Sequence, residues 1–312
     1  MARAQGARSQ MLLAKEITYG TPPASGYSRM PFASTTLGQE QPLLDNELLG
    51  YGRDPLAPSR DAITSDGQVV VPVDAAAIGH WLTGLLGAPT SSGSGPYSHT
   101  FVSGGWALPS YAIEVGYPEV PSYEMFGGVK VDFIEWQAQR SGLLQATVGL
   151  IAQGMDADTV TGGGSPSDIV LTRFGHFNGS ISRDSATIGN VVSMQLRYSN
   201  NLDPVGVIRS DGKIDGADPS IAALTGQIVV RFADRDLHDQ AAAGDPCTLE
   251  LAWTIDADTS LTLTAHAVYL PQVRNPVEGP GGIQNTFQFQ AARATSPARM
   301  FTAVLENAVA SY

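Results

Sequence analysis

One short phrase occurs twice in this chain of 312 residues, and the repeat constrains the fold more than any other feature of the sequence. GQVVV occupies residues 67–71 and GQIVV occupies residues 226–230. Each phrase is a run of β-branched residues entered through a glycine, which is typical of a strand that follows a turn. Because a chain of this length usually forms more than one core, the repeat predicts two related β units.

Two further pairs of phrases follow the same order along the chain. GGVKVDFIEWQAQ at 127–139 matches GGIQNTFQFQAAR at 281–293, and DNEL at 45–48 matches SNNL at 199–202 more weakly. We interpret the three matches as an internal duplication with one change of loop length. The alternative is that strands draw on few residue types, so that similar phrases recur by chance.

A helix is predicted after each GQ phrase. In the first half Ile78, Trp81, Leu82 and Leu85 recur at helical spacing, and Gly87 with Pro89 ends the pattern. In the second half a shorter helix is predicted within RDLHDQAAAGDP, ended by Gly244 and Pro246. Strands are predicted after these helices at Tyr111–Val115, Val129–Gln137, Leu143–Ile151, Thr248–Ile255, Ser260–Tyr269, Ile283–Ala291 and Met300–Glu306.

The predicted fold is mainly β. We expect two related antiparallel β-sandwich or barrel units, each with one flanking α-helix, together with an extended N-terminal arm and long loops. Residues 1–36 are polar and proline-containing and are predicted to be the arm. The first unit is expected at 37–160 and the second at 161–312, with the Gly/Ser/Asp-rich stretch 153–168 as the linker between them.

The charge of the chain excludes one class of function. The net charge is −12, and only Lys15, Lys130 and Lys213 are lysines. A surface that grips nucleic-acid phosphates needs many basic side chains, so a nucleic-acid-binding shell is not expected. An acidic chain remains compatible with a surface that DNA passes without sticking. Solubility alone is the other explanation of the same charge.

No catalytic or metal-binding constellation stands out, so neither an enzyme nor a cofactor is expected. The five histidines form no HExxH motif, the single Cys247 excludes a multi-cysteine zinc site, and phosphate-binding or nucleophile-elbow motifs are not found. DGKIDGAD at 211–218 lacks the spacing of a calcium loop and is predicted to be a hairpin tip. The start of the chain lacks the apolar region of a signal peptide, and no long apolar run predicts membrane insertion, so synthesis in the cytoplasm is expected.

A series of phrases along the chain resembles the tail tube proteins, or major tail proteins, of long-tailed bacteriophages and related phage-like particles. The resemblance covers most of the chain and consists of patterns rather than invariant motifs. The phrases are EITYGTPPA (16–24), RDAITSDGQVVVPVD (60–74), LLGAP (85–89), GGVKVDFIEW (127–136), SNNLD (199–203), GQIVVRFAD (226–234), GGIQNTFQFQA (281–291) and VLEN (304–307).

This resemblance implies a structural protein of the virion tail. It implies units of twisted antiparallel sheet that form rings, and stacked rings that form a tube through which genomic DNA travels without specific binding. Expected partners are further copies of the chain, a tape-measure protein during assembly, and tail terminator and distal tail proteins. Assembly is expected in the cytoplasm of the bacterial host, and the length of the chain favours a non-contractile tail.

Two units in one chain predict a particular ring. Three chains would supply six units and close as a trimer with pseudo-sixfold symmetry. The alternative is a ring of six chains with the second domain as an outer decoration. A β-sandwich carbohydrate-binding module would need an exposed aromatic platform, whereas the four tryptophans are spread through the predicted helix and strands. A hydrolase with a dispersed site would need two neighbouring carboxylates in a deep pocket.

Two sets of residues are candidates for contact with DNA or with neighbouring subunits. Both halves of the chain are acidic, which predicts an acidic lining of the conduit. Polar positions on the matched strands are the candidate lumen-facing residues: Lys130, Asp132, Asn285 and Gln288. Positions in the predicted arm and in the Gly/Ser/Pro-rich segment 88–101 are the candidate contacts between rings: Glu16, Tyr19, Ser92, Ser94 and Tyr97.

Overall fold

The computed structural model describes residues 3–277 and 279–312 and confirms a mainly β, sandwich-like fold, with 49% strand and 7% helix. The elements of the first half, in chain order, are β1 (Gln10–Lys15), β2 (Ser28–Arg29), β3 (Ser34–Thr35), β4 (Gly38–Glu40), β5 (Leu43–Asn46), β6 (Leu56–Arg60), β7 (Thr64–Pro72), α1 (Ile78–Leu86), β8 (Thr90–Gly93), β9 (Tyr97–Val102), β10 (Tyr111–Tyr117), β11 (Ser122–Gln139), β12 (Gln145–Ile151) and β13 (Gly154–Asp158).

The second half repeats the pattern of strands around one helix. Its elements are β14 (Ser167–Asp168), β15 (Gly179–Arg183), β16 (Ala186–Thr187), β17 (Val191–Ser199), β18 (Asp203–Val205), β19 (Gly216–Asp218), β20 (Ala223–Arg231), α2 (Asp236–Ala243), β21 (Cys247–Asp256), β22 (Thr259–Tyr269), β23 (Gln284–Ala291) and β24 (Phe301–Asn307).

Both predicted helices are present, and local chemistry sets their ends. Asp74 Oδ1 accepts hydrogen bonds from the amides of Ala76 and Ala77, both at 2.8 Å, just before α1 begins. Gly87, at φ +91°, ends α1, and Gly244, at φ +74°, ends α2. These positive φ angles suit glycine, which explains why the glycine signals located both helix ends.

One long antiparallel sheet crosses both halves of the chain. Its strand order is β3/β4, β7, β12, the C-terminal half of β11, β17, β20 and β23, and we call it the transverse sheet. The two halves meet where β11 pairs with β17, from Phe133 opposite Ser199 to Gln139 opposite Ser193. The transverse sheet therefore continues from one half of the chain into the other without a gap.

Most of the remaining strands pair in the same way in the two halves, but β9 pairs with β24 and β2 pairs with β14 across the halves. In the first half β2, β1, β10, the N-terminal half of β11 and β13 are successive neighbours. In the second half β16, β15, β21, β22 and β24 are successive neighbours in the same relative order. The 18-residue β11 belongs to both layers of the first half because its two ends pair with different strands.

The GQ phrases lie on corresponding strands, β7 and β20, whereas the GG phrases do not. Gly38 pairs with Asp66, and the residues 159 positions later in the chain, Arg197 and Thr225, pair with each other in the same way. The GG phrase of the first half lies on β11, which does not neighbour β7, whereas that of the second half leads into β23, which neighbours β20. By position β23 corresponds to β12. The strand pairing around β7 and β20 thus follows the repeat of the GQ phrases, whereas the later strands follow a different alignment from the one that the GG phrases suggest.

Residues 1–36 do not form a free arm in this chain. β1 pairs with β10 along its whole length, and Met11 and Leu13 are buried in the core. The apolar run MLLA is too short to reveal a strand by its periodicity, which is why the sequence suggested an arm. The stretch 153–168 is also held in place: β13 pairs with β11, and the buried Glu114 carboxylate accepts hydrogen bonds from Thr161 and Gly162, both at 2.6 Å.

Three of the four tryptophans belong to the hydrophobic core. Trp81, Trp136 and Trp253 are almost completely buried in a cluster that takes side chains from both halves of the chain, while Trp106 is 73% exposed. A carbohydrate platform needs several aromatic faces in solvent, so this placement argues against a glycan-binding module. It favours a chain whose halves share one core.

Candidate functional site

The transverse sheet has one apolar and one polar face. On each strand every second side chain enters the core, as with Val69 and Val71 on β7 or Phe287 and Phe289 on β23. The alternating positions point away from the core and carry mostly neutral polar side chains. Nine glutamines lie on this outer face, which we call the polar face: Gln68, Gln137, Gln139, Gln145, Gln195, Gln227, Gln284, Gln288 and Gln290.

Four of these glutamines form a continuous row across the sheet. Gln137 pairs with Gln195, Gln195 with Gln227, and Gln227 with Gln288, so the row runs from β11 to β23. We call it the glutamine row. A carboxamide donates and accepts hydrogen bonds without carrying charge. The glutamine row can therefore hold water along its length without attracting or repelling a passing polyanion.

The few charges on the polar face nearly balance and are partly paired. Glu40, Asp66 and Glu135 are acidic, and Arg197 and Arg231 are basic. A carboxylate oxygen of Glu135 lies 3.6 Å from the guanidinium of Arg197, which also covers the ring of Phe133 at 3.4 Å from its centroid. Pairing leaves little free positive charge for a phosphate to bind. The chain as a whole is acidic, whereas the polar face is close to neutral.

Three of the four predicted lumen positions lie on the polar face or at its margin, and one does not. Gln288 belongs to the glutamine row. Lys130 is half-buried at the margin, its Nζ donates to the Ala217 carbonyl at 2.7 Å, and burial lowers its pKa. Asp132 lies at a bulge of β11 and accepts a hydrogen bond from the Leu202 amide at 2.8 Å.

Asn285 lies on the opposite, core-facing side of β23. It is 1% exposed, and its Nδ2 donates to the Arg274 carbonyl and to Asn275 Oδ1. The alternation of β23 places every even-numbered residue outward, so Asn285 does not belong to the polar face. The prediction that Asn285 faces the lumen is wrong because a polar residue type does not by itself imply exposure: its Nδ2 is hydrogen-bonded within the chain, while its buried Oδ1 has no partner among the described residues.

The predicted contacts between rings fall into two groups. Glu16 is buried and accepts hydrogen bonds from Gly20, Ser110 and Gly128, so its carboxylate is fully engaged within the chain. Tyr19 lies beside it, and burial, followed by the charge of Glu16, raises its pKa to about 12. The second group lies on the β8–β9 hairpin and is accessible: Ser92, Ser94 and, partly, Tyr97.

An apolar hairpin protrudes between β4 and β7. It is formed by β5 and β6, spans residues 43–60, and is exposed almost throughout. Leu48 is 63% exposed, Leu49 94% and Tyr51 67%. Such a concentration of exposed apolar side chains in one protruding element is typical of a surface that another protein covers.

The corresponding hairpin of the second half is charged and folded onto its own chain. It is formed by β18 and β19 between β17 and β20. At its tip Arg209 forms ion pairs with Asp211 and Asp215, as expected for a solvated hairpin tip. At its base the Ala217 carbonyl accepts the hydrogen bond from Lys130, so this hairpin rests on the first half.

Among residues 3–277 and 279–312, no group of three or more His, Cys, Asp or Glu side chains is placed to hold a metal ion. In the same part of the chain, no helix is long and apolar enough to cross a bilayer. Two clefts lie along β23, and their linings combine uncharged side chains such as Gln284 and Gln288 with Arg274 in one cleft and with Glu135 and Arg197 in the other.

A long sheet with a neutral polar face, open edges and a protruding apolar hairpin is compatible with a structural protein that other protein surfaces cover. The chain belongs to the phage tail tube protein family, because the family model described as phage tail tube protein matches residues 6–291. The protein is therefore a structural component of the virion tail. A comparison with curated proteins gives no match.

Proposed function

We propose that three copies of the chain form a ring with pseudo-sixfold symmetry and that stacked rings form the tail tube through which the genome is ejected. The observation that carries this proposal is the β11–β17 pair, which joins the two halves into one sheet. If each half is one unit, a rotation relates the first unit to the second. Repeating this rotation places the next chain in the ring. Three chains then supply the six units that close the ring.

The same pair argues against the second half as an outer decoration. β17, β20 and β23 extend the transverse sheet, and their polar side chains continue the same outer face as those of β7, β12 and β11. A decoration would lie outside this sheet and leave the polar face to the first half alone. A ring of six chains would also need space for six such sheets, which is twelve units, around the conduit.

The polar face is the proposed lining of the conduit. It is near-neutral, so the proposed lining is rich in glutamine rather than acidic. A neutral lining suits rapid passage of DNA, because each fixed phosphate contact with Lys or Arg adds a salt-dependent binding term. Lys130 does not contradict this role, since its ammonium is half-buried and bound to Ala217.

The proposed tube assembles in the cytoplasm of the bacterial host with other tail proteins. A tape-measure protein would occupy the lumen during assembly, and terminator and distal tail proteins would bind the two ends of the tube. Genomic DNA would pass without specific binding. The two-unit chain is consistent with a non-contractile tail.

Electron microscopy of the assembled protein tests the proposal. End-on views of tubes, or of particles that contain them, are expected to show threefold symmetry with a sixfold modulation and an inner wall formed by the transverse sheet. Six complete chains per ring, or a second half outside the wall, would contradict the trimer. A protein that stays monomeric at high concentration, with or without its tail partners, would contradict the assembly itself.

A further inference from the structure

The transverse sheet has two ends that its own strands do not complete. β17 is paired on both sides, by β20 and by β11. Its counterpart in the first half, β3/β4 (residues 34–40), pairs with β7 on one side, and no described strand pairs with its other side. An extended edge with free amide and carbonyl groups is a template for a further strand.

At the opposite end of the transverse sheet, beside β23, no described strand corresponds to the C-terminal half of β11. In the first half β11 continues beyond its outer layer and pairs with both β12 and β17. In the second half β22 ends at Tyr269 after only two pairs with β23, Val268–Ala291 and Tyr269–Gln290. The residues that follow, 270–277, form no strand, and we call them the edge segment.

The edge segment nevertheless lies along β23. Continuing the register of Tyr269–Gln290 places Arg274 opposite Asn285, and the Nδ2 of Asn285 donates to the Arg274 carbonyl at 3.1 Å. Clefts separate the segment from β23 on either side of this contact, one beside Leu270 and one beside Pro276. The segment is thus in position for a strand but is not bonded as one.

One proline explains why the ladder with β23 stops. The Ala292 amide donates to the Ala267 carbonyl at 2.8 Å, so the backbone groups of odd-numbered residues in an extended continuation of this register face β23. Pro271 falls at such a position and has no amide to donate to β23. The amides of Gln272 and Arg274 fall on the side that faces away from β23.

We propose that the edge segment becomes a strand on assembly and pairs, antiparallel, with residues 34–40 of the next copy of this chain. This contact repeats between chains the β11–β17 junction that the structure shows within one chain. It rests on the proposed function, because it presupposes a ring in which the two units alternate.

The internal junction also assigns the register of the proposed contact. Glu135 lies opposite Thr147, and Val273 by its register lies opposite Thr286, the counterpart of Thr147. Glu135 pairs with Arg197, whose counterpart is Gly38. Val273 is therefore expected opposite Gly38 of the neighbouring chain. The same register places Asn275 opposite Thr36 and Val277 opposite Ser34.

Disulfide trapping in assembled tubes tests the contact. Ser34 and Val277 are both exposed in the single chain, so the double variant Ser34→Cys/Val277→Cys should fold. Mild oxidation of its tubes is expected to give covalent dimers and trimers that reducing agent separates, and no larger species. The buried Cys247 is kept, and the wild type reports its background.

Two matched variants control the geometry. Gln139→Cys/Ser193→Cys reproduces the contact at the internal junction and should give a disulfide within one chain. Gly38→Cys/Val277→Cys is displaced by four residues along the strand, about 13 Å, which is beyond the reach of a disulfide. Interchain cross-links in this displaced variant, equal to those of Ser34→Cys/Val277→Cys, would overturn the proposed register.

Hydrogen–deuterium exchange of the wild type gives a second, independent measurement. Amides of residues 34–40 and 271–277 are expected to exchange at least tenfold more slowly in tubes than in the single chain. Tubes that form without this protection, and without Ser34–Val277 cross-links, would overturn the contact while leaving the proposed function intact. A wild type that forms no ring or tube would overturn the proposed function itself, and the contact with it.

Discussion

At the residue scale, one tyrosine at the end of the second half of the chain binds to residues of the first half. Tyr312 follows β24, and its hydroxyl donates to the Ala76 carbonyl at 2.8 Å, just before α1. Asn307 donates to the same hydroxyl and to the Ala75 carbonyl. The ring packs edge-on against His80 and His99, at 5.2 and 4.9 Å between centroids. Burial raises the pKa of Tyr312, which keeps its hydroxyl protonated as a donor.

Truncation of this side chain should destabilise the whole chain. We expect Tyr312→Ala to lower the free energy of unfolding by about 2 kcal/mol, because an aromatic ring and its hydrogen bonds are lost from a partly buried site. Tyr312→Phe should lose about 1 kcal/mol. Urea unfolding of the single chain measures both. The exposed Trp106→Ala is the control, and an equal loss there would contradict a specific role of Tyr312.

At the element scale, the sequence predicted where strands lie better than it predicted which strands pair with each other. The alternation of residues 129–137 revealed β11, because periodicity is a local property. It did not reveal that β11 starts at Ser122 and pairs with strands of two layers, because pairing depends on residues far away in the chain. For the same reason the GG phrases were matched although β11 and β23 hold different places. The polar face could have been predicted from the sequence, since QFQ at 288–290 and QAQ at 137–139 alternate with period two.

The apolar hairpin at 43–60 is the element expected to join successive rings. Leu48→Asp/Leu49→Asp should leave the unfolding of the single chain almost unchanged, because both side chains are exposed. It should prevent rings from stacking, since burying two carboxylates in an apolar contact is costly. Negative-stain images and sedimentation of the assembled protein measure tube length. Val170→Asp, at an equally exposed site outside the hairpin, is the control; tubes of normal length in the hairpin variant would contradict this role.

At the scale of the whole molecule, the distribution of charge matters more than its sum. The net charge of −12 is carried mostly away from the polar face, where acidic and basic side chains nearly balance. In the proposed ring each chain contributes one glutamine row, and β3/β4, β7 and β12 of the next chain separate this row from the next one. The same lining is repeated three times in each ring and again in every ring, so that a small change in one residue is multiplied along the tube.

This multiplication leads to a prediction for DNA ejection. Gln288→Arg would add three fixed positive charges to each proposed ring, and each could bind a phosphate of the passing DNA. We expect tubes of normal appearance but roughly tenfold slower ejection at low salt, with the rate recovering as salt is raised because counterions compete for the phosphates. Ejection from purified particles, followed by a DNA-binding dye, measures the rate. Gln5→Arg, an exposed glutamine outside the polar face, is the matched control. Equal slowing in both variants, or a salt-independent effect of Gln288→Arg, would contradict the glutamine row as the lining of the conduit.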